Sequence, residues 1–180
     1  MNGNVASAFT YLVGTLIDLY VAAILLRLLL QWVRADFYNP VCQFLIKVTN
    51  PVLVPLRRII PSIGRLDTAS VVLMLALEIA GTWIITRISP VPIPIEQVLV
   101  FSVFKLIATL LWTYFFLIIA MVILSWFGQK LRHPIIPLIY QLTDPVLAPI
   151  RKIVPAIAGI DLSPLLALVA IRFLLLLLGW

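Results

Sequence analysis

The chain has 180 residues, of which 63% are hydrophobic and 11% charged, and its mean hydropathy is +1.17. A soluble domain is roughly half apolar and a quarter charged, so this composition excludes an ordinary soluble protein and points to a membrane. The formal net charge is +6, and the single cysteine, Cys42, excludes an intrachain disulfide and reads as a small apolar residue.

A hydrocarbon core of about 30 Å needs about 20 predominantly apolar residues in a helix, and four segments qualify. The first, Phe9 to Val33, contains Asp18 and Arg27. No basic stretch or small-residue cleavage pattern accompanies it, so it reads as a retained span and not a signal peptide. Next comes 40–66, where Val41, Phe44, Leu45 and Val48 form an i, i+3, i+4, i+7 stripe with Gln43 and Lys47 off it. Asn50-Pro51, like Asp144-Pro145 in the second half of the chain, disfavours helical continuation and suits the start of a new helix with Pro at its first position. In that second piece, which includes Pro55, Leu53, Leu56 and Ile60 take one side and Arg57 and Arg58 the other, and Pro61 ends it. Two short amphipathic helices at the membrane surface are expected.

Asp67 stands immediately before the second span, Thr68 to Thr86, as a helix cap. That span contains Glu78, and the 88–97 loop after it has Glu96 as its one charge. The third span, Val98 to Phe127, is charge-free from Leu106 onward, which leaves Lys105, like Arg87, near the outer boundary. A second interfacial segment, 134–160, carries the stripe Ile135, Leu138, Ile139 and Leu142, then Pro145, Pro149, Arg151, Lys152 and Pro155. Asp161 is the corresponding cap, and the fourth span, Leu162 to Trp180, contains Arg172.

The two halves align without gaps at an offset of 94, Thr49 onto Thr143. Tyr20, Trp32, Pro40, Pro51, Pro55, Arg57, Pro61 and Asp67 meet Tyr114, Trp126, Pro134, Pro145, Pro149, Arg151, Pro155 and Asp161. Matched Pro, Arg, Trp and Asp exceed what shared hydrophobicity produces, so the chain is an internal duplication with units 1–97 and 98–180. Each unit crosses the membrane an even number of times, so both share one orientation, which argues against an inverted-repeat transporter. Arg34, Lys47, Arg57, Arg58, Arg65, Lys130, Arg132, Arg151 and Lys152 all lie in the two internal loops. The positive-inside rule places those loops in the cytoplasm and both termini outside.

The repeated blocks "NPVLVPLRRIIPSIGRLD" and "DPVLAPIRKIVPAIAGID", each after a span ending in "LLQW" or "ILSW", resemble the YggT (YlmG-like) family of bacterial inner-membrane proteins, which has plastid relatives. The resemblance covers about Leu12 to Leu175. It implies a multi-pass protein without established catalysis, associated with osmotic-stress tolerance and potassium uptake, with cell division or nucleoid organisation, and with cofactor assembly in plastids. One departure is at Gly64, matched by Ala158 with the glycine displaced to Gly159.

Enzymatic signatures are absent from the sequence. His133 is the sole histidine and precedes Pro134, and neither a metal-ligand set, a phosphate-cradling glycine loop, a nucleophile elbow nor a potassium-filter motif occurs. No cofactor and no nucleic acid is expected, the basic residues being interleaved with Leu and Ile instead of exposed aromatics. The intramembrane charges Asp18, Arg27, Glu78 and Arg172 are the sharpest remaining signal, because such residues normally face a bundle interior and find partners. Glu78 and Arg172 are equivalent under the repeat, so an ion pair between them is expected, with Arg27 able to snorkel. Arg57, Arg58, Arg151 and Lys152 form a candidate platform for anionic lipid or a partner protein, and the prolines and caps suffice for a plain re-entry device. Two functions fit: a non-enzymatic organising or assembly factor for membrane machinery, acting with another membrane protein or as a homo-oligomer, or a small transporter component for K⁺ influx under osmotic stress.

Overall fold

The structure is a computed structural model, and it describes residues 3–64, 66–88, 93–127, 133–154 and 161–180. Among these residues the fold is all-helical, apart from one isolated bridge between Ile63 and Leu66. Six helices follow in order: α1 Gly3–Trp32, α2 Pro40–Ile59, α3 Thr68–Ile88, α4 Ile95–Phe127, α5 Ile135–Ile153 and α6 Ser163–Leu177. Three are long and apolar enough to cross a membrane, over Ser7–Trp32, Thr68–Ile88 and Ile95–Trp126. The fourth apolar helix, α6, has 15 residues, about 22 Å at 1.5 Å per residue. It closes through a turn in which the Trp180 N–H donates to the Leu175 carbonyl and Gly179 takes φ 84°, a left-handed cap that suits glycine.

The interfacial segments differ from the expected pairs of short helices. The predicted breaks at Asn50-Pro51 and Asp144-Pro145 do not occur: α2 runs through Pro51 and Pro55, and α5 through Pro145 and Pro149. Each proline removes one backbone donor, but the two in each helix are four residues apart and all four are exposed. The carbonyls that lose a donor, those of Lys47 and Pro51 in α2 and of Gln141 and Pro145 in α5, all belong to exposed residues, so none is left unpaired in a core and the helix survives.

The buried face of α2 is also rotated from the predicted stripe. Cys42, Leu45, Thr49 and Leu53 are buried, whereas Phe44 and Val48 are exposed. Thr49 lies at the centre of this face because its hydroxyl donates to the Leu45 carbonyl at 2.7 Å, so its polarity costs little inside. In α5 the stripe holds at Leu138, Ile139 and Leu142, with Ile135 exposed, and Thr143 bonds the Ile139 carbonyl in the same way. Asn39 caps α2 by accepting from the Val41 N–H at 2.9 Å, with Pro40 at the first helical position.

The chain divides into two compact units. One comprises Met1–Leu28 and Leu45–Ile107, the other Leu29–Phe44 and Ala108–Trp180. In the first, α3 packs closely on α1: a Cβ added at Gly81 would stand 3.0 Å from Ile17, and one at Gly14 would stand 3.3 Å from Ile85. Small residues at such positions let helix backbones approach. In the second, Ala108, Ile118, Met121, Ile139, Leu147, Ala167, Ile171 and Leu175 form the core from α4, α5 and α6.

Candidate functional site

The close approach of α1 and α3 sets the geometry of the first site. Asp18 follows Ile17 on α1, and Glu78 precedes Gly81 by one turn on α3, so both acids are brought to the same level. Between them α4 inserts Lys105. Its ammonium lies 2.6 Å from Asp18 Oδ1 and 2.9 Å from Glu78 Oε2. Glu78 is 0% exposed and Lys105 15%, while Asp18 is 50% exposed. The contact with Glu78 is one of charge: neither carboxylate oxygen of Glu78 accepts a directed hydrogen bond among the described residues. One turn along the same α3–α4 face, the Ser102 and Thr82 hydroxyl oxygens are 3.4 Å apart, both buried.

Each member of the expected Glu78–Arg172 pair has a partner inside its own unit. Glu78 takes Lys105 within its own unit, and Arg172 donates to the Trp180 carbonyl at 3.0 Å and lies 5.9 Å from the centre of the Trp112 ring. Lys105 was missed because the longest charge-free run begins just after it, which made it look like a boundary residue. Helix α4 begins at Ile95, so Lys105 is nearly three turns inside. The signal was available in the spacing: Ser102 and Lys105 are i, i+3 on a single helix face.

Arg27 is separate from this triad. Its Nη1 donates to Thr49 Oγ1 at 2.5 Å, near Arg57 and Asp67. Beside it the chain forms a clasp between the end of α2 and the start of α3. Arg57 holds Asp67 through Nη2 and Nε, and Ser70 Oγ donates to Asp67 Oδ2 at 2.5 Å. Asp67 is only 1% exposed. Burial opposes its ionisation, but the bonds from Arg57 and Ser70 outweigh it and hold the carboxyl below the ordinary range. The intervening turn places Gly64 at φ 60°, a conformation that favours glycine, and Thr68 Oγ1 donates to the Pro61 carbonyl at 2.5 Å.

The second copy repeats the clasp. Arg151 Nε lies 2.8 Å from Asp161 Oδ2, and its Nη1 also reaches Asp144 Oδ1 at 3.0 Å. These acids push the Arg151 guanidinium up against a smaller effect of burial. Burial opposes ionisation of Asp161 too, and its bonds from Ser163 and Arg151 prevail, lowering it. The N-cap position of α6 is Leu162, not Asp161 as expected, but Asp161 accepts from the Ser163 N–H at 2.9 Å and so satisfies the first donor of the helix. Pro155, Ala158 and Gly159 lie outside the described residues, as do Arg65, Lys130 and Arg132. Of the four platform cations, Arg57 and Arg151 are therefore committed to clasps, while Arg58 and Lys152 are exposed at the helix ends. No group of three or more His, Cys, Asp or Glu that could hold a metal occurs among the described residues.

The model of the CCB3/YggT family matches the chain twice, over residues 6–88 and 100–180, in step with the offset that lays Tyr20 on Tyr114. The chain belongs to the CCB3/YggT family. It is 40% identical over 178 residues to a Vibrio alginolyticus protein named as an uncharacterized protein in the proC 3' region, covering 96% of this chain and 94% of that one. It is 39% identical over 170 residues to the uncharacterized protein PA0392 of Pseudomonas aeruginosa, covering 93% and 86%. Against the uncharacterized protein YggT of Escherichia coli K12 it is 38% identical over 160 residues, covering 89% and 83%. No solved structure matches.

Proposed function

We propose that this CCB3/YggT protein is a non-enzymatic four-span protein of the bacterial inner membrane that organises or assists other membrane machinery. In this reading α6 is the fourth span, both termini are periplasmic, and α2 and α5 lie at the cytoplasmic interface against anionic lipid. The observation that carries it is Lys105 bridging Asp18 and Glu78: it ties three apolar helices together and so fixes their register, a structural use of intramembrane charge. A cavity of about 370 Å³ lies at the start of α4, lined by Ile93, Glu96, Gln97, Val100, Phe101 and Phe104, and contains none of the triad. Exposed Arg58 and Lys152 then serve as the contact points for lipid or a partner.

The test has two arms. Purified protein in liposomes is expected to give K⁺ flux no greater than empty liposomes, and a photo-crosslinking residue at Arg58 or Lys152 is expected to give one discrete adduct in native membranes. K⁺ flux abolished by Glu78→Gln would overturn the organising role in favour of transport. Topology needs an added thiol, because Cys42 is buried and its thiol is pushed up by that burial and by nearby Asp36, leaving little thiolate. In a Cys42→Ser background, Tyr38→Cys, at an exposed position, should label only after the cytoplasmic face is opened. Labelling in intact spheroplasts would reverse the orientation.

A further inference from the structure

The triad leaves one charge uncompensated. Asp18 and Glu78 are two carboxylates against the single ammonium of Lys105, and the ammonium stands closer to Asp18, at 2.6 Å against 2.9 Å. Asp18 is half exposed, whereas Glu78 is wholly enclosed and its Oε1 has no hydrogen-bond partner among the described residues. A buried carboxylate oxygen without a partner is costly, the more so inside an apolar span. Either a metal cation or a proton would relieve it. A metal ion needs several oxygen or nitrogen ligands, and the described residues offer no set of three acidic, His or Cys groups. The ammonium already at the site would also repel it. A proton needs one lone pair.

We propose that the triad is a binding site for one proton, carried by Glu78 Oε1. The charged groups that face it are Lys105 from α4 and Asp18 from α1. With the proton bound, the triad is neutral: Asp18 remains the ionised partner of Lys105, and Glu78 becomes a donor. The buried hydroxyls of Thr82 and Ser102 lie one turn away on α3 and α4. This goes beyond the organising role and does not depend on it, since a neutral triad holds three helices whether or not a partner binds elsewhere.

The chain contains two glutamates, Glu78 and Glu96, which makes the site separable by infrared spectroscopy in an ester-free detergent. Wild-type protein at neutral pH should show a protonated-carboxyl C=O band. Selective ¹³C labelling of the glutamate carboxyls should shift that band, a test requiring no mutation and so independent of folding defects. The band should persist in Glu96→Gln, whose side chain is exposed, and be lost in Glu78→Gln. Absence of the band, a band unmoved by glutamate labelling, or one removed by Glu96→Gln would overturn the proposal.

Discussion

Asp18 and Glu78 in the first half fall at the positions of Trp112 and Arg172 in the second, and the two pairs are built differently. The acids share the ammonium of Lys105, whereas Trp112 offers its ring face to the Arg172 guanidinium. Arg27, which reaches Thr49, corresponds to Met121, which packs in an apolar core. The clasps, by contrast, occur in both halves. Even there the surroundings differ: Asp67 sits among Arg57 and Arg27, two cations to one acid, whereas Arg151 sits among Asp144 and Asp161, one cation to two acids. Duplication has kept the Arg–Asp clasp at the end of α2 and of α5 and let the charges on the apolar helices diverge.

The largest break in this comparison is expected at Lys105. Lys105→Met removes the ammonium from between Asp18 and the fully enclosed Glu78 and leaves Asp18 as an unpaired carboxylate within an apolar span, where a charge costs about 2.5 to 3.5 kcal/mol. Arg172→Met in the second half removes one carbonyl bond and one ring contact, together about 1 to 2 kcal/mol. Thermal unfolding in detergent should therefore separate the two variants clearly. Adding Asp18→Asn to Lys105→Met should restore part of the loss, because groups in direct contact do not contribute additively. Equal losses in the two halves would mean that the triad is no stronger than the cation–ring contact.

Next in size is the contrast between the clasps. Asp67→Asn leaves Arg57 facing a neutral amide at a site where the carboxylate was 1% exposed, and about 1 to 3 kcal/mol is expected. Asp161 is 39% exposed, as is Arg151, so Asp161→Asn should cost less than about 1 kcal/mol. The pH dependence follows from the direction of both shifts. Each acid is held below its ordinary range in the folded chain, so the unfolded chain binds more protons as pH falls. The stabilisation is complete above the unfolded aspartate value, about 3.9, and disappears as pH drops through the lower folded one. Asp67→Asn should flatten the acid limb of unfolding midpoint against pH; an acid limb as steep as wild type would mean that Asp67 does not carry it.

Much of this architecture could be read from periodicity and repetition. The helical class, the duplication, the apolar segments and the position of α3 follow from apolar run lengths and from Pro, Asp and Trp recurring at one offset. What could not be read was long-range pairing. Arg57 and Asp67 were each identified, one as a lipid contact and the other as a cap, but nothing in a linear pattern says that a turn containing Gly64 at positive φ folds one onto the other. Thr49 was left off the buried face because hydroxyls count as polar, and only the Leu45 carbonyl and Arg27 show how it is satisfied. Pro51 and Pro145 were read as breaks because a single proline is judged by the bond it removes. The i, i+4 repetition of prolines on one exposed strip is a cooperative feature that makes the helix tolerable.

The smallest effect concerns the ends of α2 and α5, where Arg58 and Lys152 are equivalent under the repeat and both exposed. Because Arg57 and Arg151 are held in clasps, neutralising all four cations would mix lipid contact with loss of the turns. Changing only Arg58 and Lys152 to Gln leaves both clasps intact. A basic residue near an anionic surface contributes about 1 kcal/mol, or about fivefold in affinity. Exchange of anionic for zwitterionic lipid around the purified protein, followed by quenching from brominated lipid of each class, should show a loss of that order for each substitution and no change in unfolding midpoint. Because an isolated surface charge acts as a point source and the two sites have different neighbours, the sharper question is whether the losses are equal. Arg58 lies beside the cation-rich clasp and Lys152 beside the acid-rich one, so Arg58→Gln is expected to cost more anionic-lipid preference than Lys152→Gln. The reverse order would show that the local charge imbalance of the two clasps does not reach the membrane surface.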